Sequence, residues 1–274
     1  MTKNIKHNHV ELIIKQTPTT FRGKKDKYMA IKKEMSPHIK QNLKVIKKVL
    51  KYKESQEKRR GQKKGKIDKK NLYKVGSGNK RVFYKQKKTD SDMSILLLLD
   101  ASGSMMGRRE IQAHKAAITF REILKDLKIP HAIWDFTTSD KKVISTEYIN
   151  FNNWDKIDDS SLNNFYAGGE NRDGYNLRLA INEIKKRGES KKLIIVISDG
   201  QPSHYFDRYY DLVGIKDLKK AVNEAKKQNV DVLGLSIGDE HNYMDKIYKN
   251  HICINNINEL PRKLSKILRK IILN

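Results

Sequence analysis

The chain has 274 residues, enough for one large or two small domains with a sizeable hydrophobic core. Lysine and arginine number 58 against 32 aspartates and glutamates, which gives a net charge of +26 at pH 7. The longest apolar run, residues 95–99, is far too short to cross a bilayer, so we expect no association with a membrane. The single cysteine, Cys253, excludes an internal disulfide and any zinc site built from a cysteine cluster. Because the first residues contain no apolar signal segment, we expect a cytoplasmic protein.

The positive charge is concentrated in the first third of the chain. Residues 1–90 contain 29 basic and 7 acidic side chains, whereas residues 91–274 contain 29 and 25. This difference predicts a basic, partly helical N-terminal region over residues 1–90 and a compact domain over residues 91–274.

The clearest structural signal in the N-terminal region is an amphipathic helix. Ser36 and Pro37 are typical of a helix start, with serine as the N-cap and proline at the first helical position. Apolar residues then recur at spacings of three and four, namely Ile39, Leu43, Ile46, Val49 and Leu50. The dense like charges that follow predict a mobile linker over residues 53–70.

Two interpretations of the basic region remain open. Lysine-rich segments bind nucleic acid by releasing counterions, and Tyr73, Phe83 and Tyr84 could stack on bases. Alternatively, the region is a solvated spacer in a chain that uses lysine, isoleucine and asparagine throughout. We favour the spacer, because charge runs are more often solvated than used to recognise nucleic acid.

Strand and helix patterns alternate from residue 91 onward. Residues 93–99 and 191–198 are apolar runs typical of parallel strands buried on both faces. Further strands are predicted at residues 131–137, 141–149, 230–238 and 251–254. Helices are predicted around residues 111–127, 177–184 and 218–225, and a closing helix is indicated by Leu264, Ile267, Leu268 and Ile271. The alternation predicts an α/β fold, a doubly wound and mostly parallel sheet with helices on both faces.

Oxygen-bearing side chains follow the two most buried strands. Asp100, Ser102 and Ser104 come directly after the first, and Asp199 comes directly after residues 191–198. In doubly wound sheets ligands bind beyond the carboxyl ends of the strands, so these side chains should meet at one edge. Carboxylate and hydroxyl oxygens suit Mg²⁺ or Mn²⁺, and we expect a site for one such ion.

Other chemistries fit the sequence less well. An aspartate or serine after a strand is also a common helix N-cap, so each residue alone is a weak signal. The segment Gly61–Ile67 lacks the spacing and hydroxyl of a phosphate-binding loop, and the serine in G-S-M-M-G is one place early for a nucleophile elbow. Asp100 as the nucleophile of a phosphohydrolase remains an alternative. A catalytic nucleophile with a positioned base is not apparent, so we expect no catalysis by this chain alone.

Three segments together resemble a von Willebrand factor A domain: D-A-S-G-S-M at residue 100, G-G-E-N-R-D-G at residue 168 and I-S-D-G at residue 197. The resemblance covers residues 91–274. More narrowly, these loops and the segment GIKDLKKAVNEAKKQNVDVLGLSIGDE are similar to the CobT-type subunit of cobaltochelatase and to the NorD-type activator of nitric oxide reductase. CobT-type proteins often carry an acidic region upstream, whereas residues 1–90 here are basic.

The resemblance implies a metal-ion-dependent adhesion site. Ser102 and Ser104 would coordinate the ion directly, and Asp100 and Asp199 would do so directly or through water. The family's second loop usually supplies a threonine, and Asn171 occupies that position when counted back from Leu177. A shift of one or two residues would instead bring Asp173 to the ion.

The resemblance also implies partners. CobT-type and NorD-type proteins work with a ring-forming AAA+ ATPase of the MoxR or chelatase type, so this chain is expected to be its adaptor. The open coordination position would bind an acidic side chain of a client protein. Aromatic residues after Asp199 could frame that side chain or simply cover the sheet edge, namely Tyr205, Phe206, Tyr209 and Tyr210.

Overall fold

The computed structural model describes residues 10–17, 22–56, 58–86, 92–199, 202–238, 244–260 and 262–263. The helices are α1 (Arg22–Gln56), α2 (Arg108–Asp126), α3 (Asp173–Ile184), α4 (Asp211–Lys227) and α5 (Met244–Ile247). The strands are β1 (Glu11–Gln16), β2 (Lys58–Gln62), β3 (Lys66–Ile67), β4 (Phe83–Gln86), β5 (Met93–Asp100), β6 (His131–Ser139), β7 (Lys142–Ile149), β8 (Lys191–Ser198), β9 (Ser203–His204), β10 (Tyr209–Tyr210), β11 (Asp231–Ile237) and β12 (Asn250–Ile254).

A seven-stranded sheet forms the centre of the molecule, in the order β1-β7-β6-β5-β8-β11-β12. Strands β6, β5, β8, β11 and β12 run parallel to one another. Strand β7 is antiparallel to β6, and β1 is parallel to β7. Strand order reverses at β5, which has β6 on one side and β8 on the other. The prediction of a doubly wound, mostly parallel sheet is therefore confirmed, with its switch point between β5 and β8.

Strand β5 is buried along its whole length and contributes to two cores. Ile95, Leu97 and Leu99 belong to the core that includes residues of α1 and α2. Leu96 and Leu98 belong to the core that includes residues of α3, α4 and α5. Because successive side chains of a strand point to opposite faces, this strand requires helices on both sides of the sheet.

Most predicted elements of the second part of the chain are confirmed. Strand β8 covers the predicted residues 191–198, and α2, α3 and α4 cover the predicted helices. The closing helix predicted from Leu264, Ile267, Leu268 and Ile271 falls outside the described residues. None of the helices in the described part of the chain is long and apolar enough to cross a membrane.

Part of the basic N-terminal region packs against this sheet. Strand β1 extends the sheet by pairing with β7 along its length. Helix α1 contributes Tyr28, Met35, Ile39 and Ile46 to the core that contains α2, and the Tyr28 hydroxyl donates to Glu122 on α2 at 2.7 Å. Strand β1 and helix α1 therefore join the sheet and the core of the second part of the chain.

Two predictions for this region were wrong. Helix α1 begins at Arg22, with Pro37 inside it, although Ser36 and Pro37 indicated a helix start. An internal proline removes one backbone hydrogen bond, and the burial of Met35 and Ile39 on either side of it offsets that loss. The linker predicted over residues 53–70 instead contains the end of α1 and strands β2 and β3, which pair with β4 in a separate three-stranded sheet.

Two methionines of α1 provide a test of its packing. Met35 is 1% exposed, whereas Met29 is 53% exposed. We expect Met35→Ala to lower the free energy of unfolding by about 2–5 kcal/mol, because it leaves a cavity in the core that α1 shares with α2. Met29→Ala should change it by less than about 0.5 kcal/mol. Urea denaturation of the full chain measures both, and equal effects would contradict the packing of α1.

Candidate metal site at the carboxyl edge of the sheet

The first loop places two serine hydroxyls beside a buried carboxylate. Asp100 is the last residue of β5, and its Oδ1 accepts a hydrogen bond from the Ser102 backbone N–H at 2.9 Å. The hydroxyl oxygens of Ser102 and Ser104 lie 3.0 Å apart, and Ser104 is exposed. Gly103 permits this turn, because its N–H reaches the Gly169 carbonyl at 2.8 Å and an added Cβ would lie 3.2 Å from that oxygen.

The second loop is joined to the first and third loops through Asn171. Its Nδ2 donates to Oδ2 of Asp100 at 3.0 Å. Its Oδ1 accepts from the Ser203 backbone N–H at 2.5 Å, and its own N–H donates to the Ser203 carbonyl at 2.9 Å. The side-chain oxygen of Asn171 is therefore already engaged in a hydrogen bond.

Asp173 has a different environment although it lies only two residues away. It is the first residue of α3 and is 1% exposed. Neither of its carboxylate oxygens has a hydrogen-bond partner among the described residues. Burial, followed by the charges of Asp100 and Asp199, raises its pKa well above the usual value for an aspartate.

The third loop completes the cluster with Asp199, which follows β8 and is also buried. The nearest oxygen of its carboxylate lies 3.6 Å from Nη1 of Arg109, which also donates to the Ser104 carbonyl at 2.9 Å. Burial and the charge of Asp199 raise the pKa of Asp100 to about 6, and hydrogen bonds from Ser198 and Ser102 oppose that shift.

Sequence reasoning missed Arg109 and Ser198. The Ser198 hydroxyl donates to Oδ2 of Asp100 at 2.7 Å. The register could have indicated this contact, because Leu99 pairs with Ile197 and the next residues on the two strands are Asp100 and Ser198. The sequence offers no comparable signal for Arg109, whose contacts depend on how α2 is placed against the loops.

Comparison with known proteins identifies the family of the chain. A model of the von Willebrand factor type A domain matches residues 94–256. The chain belongs to this family. Domains of the family typically mediate protein interactions, and they often bind a divalent metal.

Two curated relatives are uncharacterised proteins. The chain is 28% identical to the uncharacterised protein YojO of Bacillus subtilis over 225 residues, which are 76% of this chain and 35% of that protein. It is 24% identical to the uncharacterised protein PA0525 of Pseudomonas aeruginosa over 209 residues, 72% of this chain and 34% of that protein. The chain thus spans about a third of the length of these relatives.

Solved structures agree with the fold. A D319A mutant of the PilB minor pilin from Streptococcus sanguinis superposes with a TM-score of 0.52 at 16% identity, covering 69% of this chain and 64% of that one. At this identity the likeness concerns the von Willebrand factor A fold alone.

The residues at the edge fit a hard divalent cation. Within the described ranges, no group of three or more histidine, cysteine, aspartate or glutamate side chains is placed to hold a metal by itself. The predicted ligand set instead combines carboxylates with the paired hydroxyls of Ser102 and Ser104. The buried, unpartnered oxygens of Asp173 are the kind of group that a cation would stabilise.

Buried polar contacts behind the loops hold them in place. Nε of Arg172 donates to Nδ1 of His204 at 2.8 Å, and Nε2 of His204 lies 2.6 Å from the Asp140 carbonyl. These contacts require a neutral His204 with its proton on Nε2. The Arg172 guanidinium also lies 4.9 Å from the ring of Tyr209, whose hydroxyl donates to Asp217 at 2.8 Å.

The aromatic residues after Asp199 divide into two groups. Tyr209 is buried and supports the loops, whereas Tyr205 and Phe206 are exposed. Tyr205 is tied to the second loop, because its backbone N–H donates to Glu170 at 3.2 Å.

The unpartnered carboxylate predicts an unusual stability effect in the absence of metal. We expect Asp173→Asn to raise the free energy of unfolding in EDTA at neutral pH, because a carboxyl group whose pKa is raised in the folded state destabilises that state when it is ionised. The charge that is lost lies buried near Asp100 and Asp199. Urea denaturation measures the change.

The control is Asp211→Asn, which removes an exposed aspartate from the same first position of α4. This variant should change the free energy of unfolding by less than about 0.5 kcal/mol, because its carboxylate is exposed and asparagine also adopts the positive φ of this residue. A loss of stability in both variants would contradict the prediction that the buried carboxylates repel one another in the folded protein.

Proposed function

We propose that this von Willebrand factor A domain is a divalent-metal-dependent adaptor that binds an acidic side chain of a client protein. The ion would be Mg²⁺ or Mn²⁺, held by Ser102, Ser104, Asp100 and Asp199 together with one group from the second loop. Bound there, the ion would supply an open coordination position for a client carboxylate. The observation that carries the proposal is the convergence of three loops on one patch of oxygen atoms.

The second-loop ligand was predicted to be Asn171, with Asp173 as the alternative. Hydrogen-bond geometry supports Asp173. The oxygen of Asn171 accepts from Ser203, and its amide nitrogen donates to Asp100. We therefore assign Asn171 a positioning role and Asp173 the negative charge that would attract the ion.

Exposed apolar side chains flank the three loops along the chain, and we call them the rim. Met106 follows the first loop, Tyr166 precedes the second, and Tyr205 and Phe206 follow the third, with exposures between 46% and 70%. Aromatic side chains and methionine are enriched at protein interfaces. The rim supports a client that presents a carboxylate among apolar residues.

The proposed ATPase partner rests on the loop sequences, which are similar to those of CobT-type and NorD-type proteins. On this basis the chain would couple a client to an AAA+ ATPase of the MoxR or chelatase type in the cytoplasm. Cobalt insertion and activation of another enzyme are both consistent with such an adaptor.

The environment of Asp100 favours an adaptor over a phosphohydrolase. Asp100 is 0% exposed, and its two oxygens accept hydrogen bonds from Ser102, Asn171 and Ser198. A nucleophile needs an approach path for its substrate. The exposed hydroxyl of Ser104 is more accessible, and it suits coordination of an ion.

Calorimetric titration of Mg²⁺ and Mn²⁺ into the full chain tests the site, with acetate present as a stand-in for a client carboxylate. We expect one ion per chain. Ser104→Ala and the Asp100→Ala, Ser102→Ala double variant should weaken binding at least about tenfold, since loss of a ligand costs a charge-assisted contact. Asp173→Asn should weaken it more than Asn171→Ser.

Ser77→Ala is the control, because Ser77 is exposed and lies in the basic segment before β4. Absence of binding heat in the wild type with both ions, or equal affinity in Ser104→Ala, would contradict the metal site. The ATPase role has a separate readout: a tagged chain should retain an AAA+ ATPase from extracts of its own organism in Mg²⁺ and lose it in EDTA.

A further inference from the structure

The segment Lys58–Gln86 is folded and almost uniformly positive. It contains twelve lysines and arginines and one acidic residue, Asp68. Strands β2, β4 and β3 form its antiparallel sheet, and a 3-10 helix, Lys69–Ser77, connects β3 to β4. This folded unit lies where a mobile linker was expected.

The single carboxylate of the segment makes its contacts inside the segment. Asp68 is buried, accepts hydrogen bonds from the Lys70 backbone at 3.2 Å and from the Asn71 side chain at 2.8 Å, and pairs with Arg60 at 3.4 Å. Among the side chains of the segment that the structure describes, the ionisable groups exposed to solvent are therefore cationic or phenolic.

Helix α1 is also rich in lysine but uses it differently. Lys32 pairs with Glu122 at 2.8 Å, and Lys47 pairs with Asp126 at 2.5 Å, both on α2. In the reverse direction Lys115 of α2 pairs with Glu34 of α1. Part of the charge on α1 thus joins two helices, whereas the segment 58–86 contains only one carboxylate of its own to offset its charge.

Exposed apolar side chains accompany the positive charge. Val82 is buried, but four others are about half exposed or more: Ile67, Leu72, Tyr73 and Val75. Tyr73 is 76% exposed, and the Lys74 Nζ lies 5.6 Å from the centre of its ring. Lys74 thus lies over one face of this ring, and a strand whose phosphate it binds would pass beside Tyr73.

We propose that the segment 58–86 binds single-stranded nucleic acid. Its lysines and arginines would contact the phosphates, and Tyr73 would stack on a base. Exposed aromatic rings among cationic groups are the combination that recognises single strands without sequence preference, because every base has a face on which to stack. An acidic protein would use the charge without a requirement for a planar ring at position 73, and the substitutions below separate the two kinds of partner.

Fluorescence anisotropy with a short labelled oligouridine and the full chain tests the proposal. The Lys69→Gln, Lys70→Gln double variant should weaken binding. The magnitude of the slope of log affinity against log salt concentration should decrease by about 1.4, because each phosphate contact in a single strand contributes about 0.7. Tyr73→Ala should weaken binding about fivefold or more with an unchanged slope, and Tyr73→Phe should retain it.

The matched control is Lys40→Gln with Lys44→Gln, which removes the same charge from exposed positions of α1. It should leave the affinity and slope close to those of the wild type. Equal losses in both double variants would overturn the proposal. So would equal affinity for a duplex of the same charge, or competition by polyglutamate as strong as by unlabelled oligouridine.

Because these residues are not among the proposed metal ligands, EDTA should leave oligouridine binding unchanged. If the chain does not bind oligouridine, the adaptor proposal is unaffected. If it does not bind Mg²⁺, the nucleic-acid proposal is unaffected.

Discussion

The burial of several carboxylates at one edge of the sheet is the constraint on which the site depends. Asp100, Asp173 and Asp199 are each exposed by 2% or less, and each raises the cost of ionising another. Hydrogen bonds from Ser102, Ser198 and Asn171 offset the cost of burying the Asp100 carboxylate. Arg109 lies near the carboxylate of Asp199. Asp173 is left without such compensation among the described residues, which is why a bound cation would matter most to it.

The position of these groups follows from β5. Alternate residues of this strand belong to two cores, so the strand is held from both faces and its carboxyl end is well defined. Its neighbour β8 is held in the same way, and the two strands flank the point where the strand order reverses. No helix crosses from β5 directly to β8, so the loops after these strands are free to meet there.

The central strands could be predicted because their long apolar runs have only one stable environment. Strand β1 could not, since Glu11–Gln16 is a short edge strand whose residues are exposed or half-buried. Strands β2 and β3 are held by backbone pairing to β4 in a stretch dominated by lysine, so their sequence carries little apolar pattern. The start of α1 could not be predicted, because Pro37 is a strong local signal for a helix start. The packing that overrides this signal involves residues that are distant in the sequence.

The same distinction separates the two candidates in the second loop. Counting along the sequence placed Asn171 at the threonine position but could not say which atoms it would contact. The contacts depend on Ser203, which reaches Asn171 only because β9 lies beside the second loop. Sequence spacing therefore located the loop. Tertiary hydrogen bonds distinguished Asn171, which holds the loops together, from Asp173, whose carboxylate oxygens have no hydrogen-bond partner among the described residues.

A chain with a net charge of +26 has many lysines that could neutralise an acidic cluster, and burial argues against that outcome. The three carboxylates are almost inaccessible, while the Ser104 hydroxyl is exposed. An ammonium group on a side chain would have to lose much of its hydration to reach them, and it has only three donors to offer in return. Mg²⁺ also dehydrates reluctantly, but an ion that entered past the hydroxyls, as proposed above, would gain several oxygen ligands at once. The depth of the carboxylates and the exposure of Ser104 thus set the side from which the proposed ion would approach.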